Sequence, residues 1–408
     1  MRLVCAFFAL LLAVPAAPGQ PCSPIRFDSL PVRRIAQSAT ATGSGVARQP
    51  DGDFTQHSYR RLRPGIDLTA LTKGAVQPNL LRELFACSGQ ELGPLSPAAI
   101  VKPFAPLPGV SSTEILVTNL TGDNRPAFLA FDRFSAPDAL VVVILDETST
   151  AQSAASYPVG RSPFHVLAAD FNGDGHTDVA VLYRGESGGN GGVSVLLGNG
   201  DGTVRAATNY VTGAFPTSAT AGRFNGDDLP DIAVSHNNAK EIKILLAQAG
   251  GTFAAPATIA TQGFPGALAA ANINGDAFTD LVFSDTGGAT VLFGNGAGGF
   301  GSPRKVTAGL NPFAVAAGDL NADGKTDLAL GDVAGGVVSV VLGDGNGGFG
   351  PARRYGGGEW PGALFISDFD RDGHADVVSA TGHPDGYTWL PISSTIAVLR
   401  GRGDGTFH

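Results

Sequence analysis

Asp170, Asn172, Asp174 and Asp178 in the stretch DFNGDGHTD place carboxylate or amide oxygens at positions one, three, five and nine of a short segment. The backbone carbonyl of His176, at position seven, adds a further oxygen. A set of hard oxygen donors without thiol or imidazole ligands selects calcium over zinc or copper. Gly175 at position six permits the sharp turn that folds such a loop around an ion. An EF-hand would require a bidentate glutamate at position twelve. Val181 stands there, with Leu330 and Ser379 at the same place in two related stretches, and the flanks read as strands. A phosphate site is also excluded, because the carboxylates would repel it. The plain alternative to a metal is a bare Asx turn.

Repetition decides against a bare turn. The pattern returns as RFNGDDLPD from Arg223, NINGDAFTD from Asn272, DLNADGKTD from Asp319 and DFDRDGHAD from Asp368, with a worn copy, NLTGDNRPA, from Asn119. Two further copies hold complete ligand sets: Asp319, Asn321, Asp323 and Asp327 with the carbonyl of Lys325, and Asp368, Asp370, Asp372 and Asp376 with the carbonyl of His374. The copy made of Asn272, Asn274, Asp276 and Asp280 has lost one charge and is expected to bind more weakly. In the copy at Arg223 the guanidinium is expected to pair with Asp227 and Asp231 and replace the metal. The copy at Asn119 keeps only Asp123 as a carboxylate and is expected to be empty. The imidazoles of His176 and His374 are expected to face solvent.

The elements that position these loops follow a fixed order with a period near fifty residues. A proline (Pro163, Pro216, Pro265, Pro312, Pro361) precedes each of the five later loops, and an apolar strand joins the two. After the loop come a second strand (VAVLY, IAVSH, LVFSD, LALGD, VVSA), a turn and a third strand. A glycine-rich hairpin (NGDGTV, QAGGTF, NGAGGF, DGNGGF, RGDGTF) then leads to an outer strand. Four antiparallel strands per unit of this length mark a propeller blade, whose faces are buried only by neighbouring blades. The expected fold is therefore an all-β propeller of four-stranded blades with six recognisable repeats, in a ring of six or seven blades. The final repeat lacks an outer strand, and residues 98–107, AAIVKPFAPL, are expected to supply it, closing the ring with strands from both ends of the propeller.

Composition agrees. Charged residues are 15 % of the 408, while glycine (57) and proline (27) are abundant, as many short strands and tight turns require. The net charge of −9 and the absence of a basic run argue against nucleic acid and anionic membranes as partners. Residues 1–19, with an apolar run from Leu3 to Val14 and small residues at Ala17 and Gly19, read as a secretory signal too short to span a bilayer. Removing it leaves Cys22 and Cys87, expected to form a disulfide in an oxidising compartment. Residues 20–97 read as a small N-terminal extension with a helix at NLLRELFAC. Within it, residues 45–59 resemble a blade hairpin and keep an extra blade open.

With these loops, strands and GDGTF hairpins, residues 98–408 resemble the FG-GAP/VCBS repeat family, whose relatives include the integrin α-subunit propeller and fungal propeller lectins. The resemblance implies a calcium-loaded propeller used for adhesion and for binding carbohydrate or extracellular protein. A ligand face is expected opposite the calcium loops. Phe215, Phe264, Asn311 and Trp360 precede prolines there, and TGHPDGYTWLPISST adds His383, Asp385, Tyr387 and Trp389. Aromatic platforms beside polar groups suit sugar rings or a partner's side chains, and the alternative is that the rings pack between blades. No nucleophile elbow of the G-x-S-x-G kind is read, since the one match to that spacing, GESGG at 185–189, falls in the glycine-rich turn between two strands and not between a strand and a helix, and no H-E-x-x-H sequence is present. An enzyme reading, a polysaccharide lyase or hydrolase, would rest on a carboxylate pair on that same face, with Asp385 as a candidate member. The favoured function is a secreted or cell-envelope, calcium-stabilised binding and adhesion module.

Overall fold

The second strand of each repeat carries side chains with no solvent-facing alternation, so it needs cover on both sides. Successive side chains of a strand point to opposite faces of the sheet. In Asp178–Tyr183, Val179 and Val181 pack against Leu129 and Phe131 of the preceding repeat, while Ala180 and Leu182 pack against Ile232 and Val234 of the following one. A sheet held between two other sheets satisfies such a strand.

The computed structural model describes residues 9–11 and 115–408, apart from 124, 134–135, 146–150, 187–188, 334, 359 and 385–390. Cys22, Cys87 and residues 98–107 lie outside the described residues. Strand-to-strand order within each repeat is sequential and antiparallel. The first sheet contains Ile115–Asn119, Pro126–Asp132, Ala139–Leu145 and Ala151–Pro158. The second contains Pro163–Ala169, Asp178–Tyr183, Asn190–Leu196 and Thr208–Ala214. The third is Ser218–Gly222, Asp231–His236, Glu241–Leu245 and Ala257–Ala260. The fourth is Leu268–Ala271, Asp280–Asp285, Gly288–Leu292 and Arg304–Thr307, and the fifth is Pro312–Gly318, Asp327–Asp332, Val337–Val341 and Arg353–Gly356. Among the described residues the sixth has three strands: Pro361–Ser367, Asp376–Pro384 and Pro391–Leu399. Ala9–Leu11, within the run read as a secretory signal, pairs parallel with Ile115–Val117 at the edge of the first sheet.

The all-β expectation holds, and the four-stranded antiparallel units have the form of blades. Five apolar clusters each join two successive sheets, so the core is a series of slabs between blades rather than one central mass. This is how a chain too long for one compact core buries its apolar surface.

The glycine-rich hairpins tie each blade to the one before it. The Gly202 N–H donates to the Leu120 carbonyl at 2.9 Å, and the Gly298 N–H to the Phe224 carbonyl at 2.8 Å. Gly347, with φ of +80°, shows why the residue type is needed. A Cβ there would lie 2.6 Å from the Phe293 ring of the preceding blade, and the backbone conformation itself favours glycine.

Candidate metal loops and the opposite face

Each loop joins an inner strand to the second strand, so all loops emerge at the same end of their blades. In the second blade, Asp170 Oδ1 accepts the N–H groups of Gly173 (2.7 Å) and Asp174 (3.1 Å), and Oδ2 accepts that of Gly175 (2.8 Å). Asn172 Oδ1 accepts the Asp174 N–H at 2.9 Å, and Asp174 Oδ1 accepts that of His176 at 2.9 Å. The chain is wound around its own acidic side chains.

The position-six glycine separates complete copies from incomplete ones. Gly175, Gly324 and Gly373 have φ of +83°, +79° and +89°. In each case the glycine N–H reaches Oδ2 of the position-one aspartate: Asp170 at 2.8 Å, Asp319 at 2.8 Å and Asp368 at 3.0 Å. The copies with Asp228 or Ala277 at position six lack a position-one carboxylate as well. Asn272 instead accepts the Gly275 N–H at 2.8 Å and turns its Nδ2 to donate to the Asp276 carbonyl. An amide donor there sits among oxygens that a cation would otherwise attract.

Position nine has a second role that ligand spacing alone does not reveal. Asp178, Asp231, Asp280, Asp327 and Asp376 are fully buried. One oxygen of Asp327 accepts the Leu320 N–H at 2.9 Å, fixing the start of the loop, and the other accepts the Gly343 N–H at 2.7 Å, fixing the start of the hairpin. Asp178 bonds Phe171 and Gly198 in the same way, and Asp376 bonds Phe369 and Gly401. Asp231 does so with Phe224 and Ala247 although Arg223 occupies position one of its loop. The clamp therefore operates in a copy with an incomplete ligand set. Burial pushes these carboxyls above the usual range, opposed by the donated N–H bonds. Neighbouring carboxylates such as Asp174 and Asp170 beside Asp178 push further in the same direction. A cation in the loop would relieve that repulsion.

The expected Arg223 arrangement is corrected. Its guanidinium lies 3.7 Å from Asp228 on the exposed surface, not against Asp227 and Asp231. Asp227 takes the Asn225 amide at 2.7 Å and the Leu229 N–H at 3.0 Å, and Asp231 is enclosed by its clamp. In the worn copy Asp123 pairs with Arg125 at 2.6 Å.

The sixth blade gives the strongest test of fit for a metal. Among the described residues, Asp368, Asp370 and Asp376 bring carboxylate oxygens within 4.8 Å of one another. Asp370 Oδ1 is buried and has no hydrogen-bond partner among the described residues, while Oδ2 of the same carboxylate lies 3.6 Å from the Arg400 guanidinium. An unsatisfied buried carboxylate oxygen beside two further carboxylates fits an oxygen-seeking cation. Position-seven side chains behave less simply than expected. His176 is exposed as predicted and His374 is half-exposed, but both rings lie against their hairpins, each where a Cβ on the hairpin glycine (Gly200 and Gly403) would stand. Between the loops of the fourth and fifth blades is a polar cleft lined by Asn272, Lys325, Thr326, Asp344 and Asn346, with Thr326 donating to the Asn272 carbonyl at 2.7 Å.

At the opposite end of the blades, Phe215 and Phe264 are 56 % and 48 % exposed, so packing between blades does not account for them. The Lys240 ammonium lies 4.4 Å from the centre of the Phe264 ring. Trp360 is half-buried, with φ of +54°. His383 belongs to the strand Asp376–Pro384, while Asp385, Tyr387 and Trp389 lie outside the described residues. Leu310 and Phe313, 69 % and 62 % exposed, extend the apolar rim and were not anticipated. Their position flanking the repeated proline Pro312 was the available signal.

An FG-GAP-like repeat profile matches residues 170–234, 272–330 and 319–379, each match beginning at position one of a loop. The chain carries FG-GAP-like repeats. The FG-GAP copy at Arg223 falls inside the first match. Among solved structures, a lectin of Agrocybe aegerita that recognises non-reducing terminal N-acetylglucosamine is similar with a TM-score of 0.51 and 18 % identity, over 72 % of this chain and 78 % of the lectin. At that identity the likeness speaks for the fold. The V. cholerae biofilm matrix protein Bap1 is a more distant likeness, with a TM-score of 0.39 and 11 % identity over 70 % of this chain and 77 % of that one. No match is found among curated proteins.

Proposed function

We propose that the chain is an extracellular, calcium-stabilised propeller that binds carbohydrate through the face opposite its metal loops. The observation that carries this reading is the exposure of Phe215 and Phe264 on neighbouring blades of that face. Exposed aromatic faces offer stacking area to the apolar faces of sugar rings at little conformational cost. The fold shared with a lectin supports the same class of ligand. Calcium is proposed for the complete loops, held by Asp170, Asn172, Asp174 and Asp178, by Asp319, Asn321, Asp323 and Asp327, and by Asp368, Asp370, Asp372 and Asp376. The carbonyls of His176, Lys325 and His374 would complete these sets. The ion would act as a staple, neutralising carboxylates that the fold crowds together.

A glycan array probed with the purified full chain in calcium tests the carbohydrate reading. Phe215→Ala and Phe264→Ala are each expected to weaken glycan retention about tenfold, the scale of one lost aromatic contact, with unaltered melting. Failure to retain any glycan, or equal retention by both variants, would reject it. Capture of an extracellular protein instead would assign the face to adhesion between proteins.

A further inference from the structure

In four of the five later loops position three is an asparagine whose side chain serves the position-five carboxylate. Asn172 Nδ2 donates to Asp174 at 2.9 Å, Asn225 to Asp227 at 2.7 Å and Asn274 to Asp276 at 2.7 Å, and the Asn321 side chain bonds to Asp323 in the same way. The sixth loop has Asp370 at that position, beside Asp372 at position five. An ionised carboxylate only accepts, so this exchange adds an oxygen and a charge while removing the donor. A cation makes up the difference. The Arg400 guanidinium lies 3.6 Å from Asp370 Oδ2, while the buried Oδ1 has no partner among the described residues and is left to an ion. Arg400 follows Leu399, and in the same register of the other four blades stand Leu197, Leu246, Phe293 and Leu342. Each of those packs under the hairpin of the next blade, where a Cβ on Gly251, Gly298, Gly347 or Gly405 would meet it at 2.6–2.8 Å. Of these five blades, the one whose position three has become a carboxylate is the one whose apolar platform has become a guanidinium.

We infer that Arg400 is a built-in counter-ion of the sixth loop, which holds the calcium affinity of that loop down to the range of the other complete copies and steadies Asp370 when no ion is bound. The inference rests on the calcium reading of the loops given above. Four carboxylates and one guanidinium leave the sixth loop with the same formal charge as Asp170, Asp174 and Asp178 give the second. A guanidinium beside a ligand carboxylate repels an entering divalent cation, and it attracts the carboxylate once the cation has gone. The sixth loop therefore gains less from calcium, and loses less without it, than four carboxylates alone would. Lys325 of the fifth loop also lies 3.6 Å from a carboxylate, that of Asp323, but it stands within its own loop and balances no added charge.

Calorimetric titration of the full chain with calcium tests the inference, in a background where Asp174→Asn, Asp276→Asn and Asp323→Asn weaken the other loops and keep their acceptor oxygens. In that background Arg400→Gln is expected to bind calcium about tenfold more tightly, the scale of one charge beside the ion, and Arg400→Lys to stay near the parent. A second measurement uses the single Arg400→Gln variant of the otherwise unaltered chain. It is expected to melt several degrees below the parent in chelator, with the difference closed or reversed in saturating calcium. Equal or weaker calcium binding by Arg400→Gln would overturn the inference, and so would a melting loss of the same size in chelator and in calcium, which would make Arg400 a plain structural contact. Calcium binding by the unaltered chain but not by the background would overturn it too, since the sixth loop would then hold no ion. No calcium on the unaltered chain would instead reject the calcium reading itself.

Discussion

Replacing Asp327 by alanine is expected to cost about 3 kcal/mol of stability, because the buried N–H groups of Leu320 and Gly343 lose their acceptors together. Each stranded buried donor costs about 1–3 kcal/mol, and relief from burying a carboxylate offsets part of the sum. Asp327→Asn should cost less, since its amide oxygen still serves one donor while its nitrogen faces the other. Urea unfolding of both variants, with and without chelator, measures this. The alanine penalty should persist in chelator, because the equivalent clamp at Asp231 is made beneath an arginine-bearing loop. A variant as stable as the parent in chelator would reduce Asp327 to a metal ligand and nothing more.

Removing calcium should be the second large effect. Extracellular calcium sites have dissociation constants of about 0.1–1 mM, and at tenfold excess each contributes about 1.4 kcal/mol. Three loaded loops would therefore contribute about 4 kcal/mol by the same relation, lost on chelation as a fall of several degrees in Tm. Asp319→Asn and Asp368→Asn should each remove about one third of the calcium-dependent part and little of the remainder. Each asparagine keeps an oxygen for the loop N–H groups but loses the charge. Arg223→Gln should leave the calcium response unchanged. Equal melting with and without chelator, together with no metal in elemental analysis, would leave the loops as turns.

The blade order, the loop register and the exposure of Phe215 and Phe264 at the end away from the loops were legible in the sequence. They depend on local spacing that repeats, and a strand's alternation converts spacing into direction. Pairing at Arg223 was not legible. A long exposed side chain chooses among several carboxylates within reach, and Asp228 at position six is nearest only once the backbone of that loop is placed. The dual role of the position-nine aspartate was half visible. Asp231 survives in a copy that has exchanged its position-one carboxylate for a cation, which points to a role beyond ligation, but its N–H partner Ala247 is distant in sequence. Exposure of Leu310 and Phe313 depends on how far a neighbouring blade reaches over the proline turn, a long-range property that composition does not encode.

The backward lean of the glycine hairpins gives the molecule a direction. Gly202 reaches the first blade, Gly298 the third and Gly347 the fourth, always toward chain already made. During synthesis, a newly emerged repeat therefore meets a finished docking surface instead of waiting for one. The nascent chain can be laid down blade upon blade, and the newest blade is the one whose apolar face remains uncovered longest.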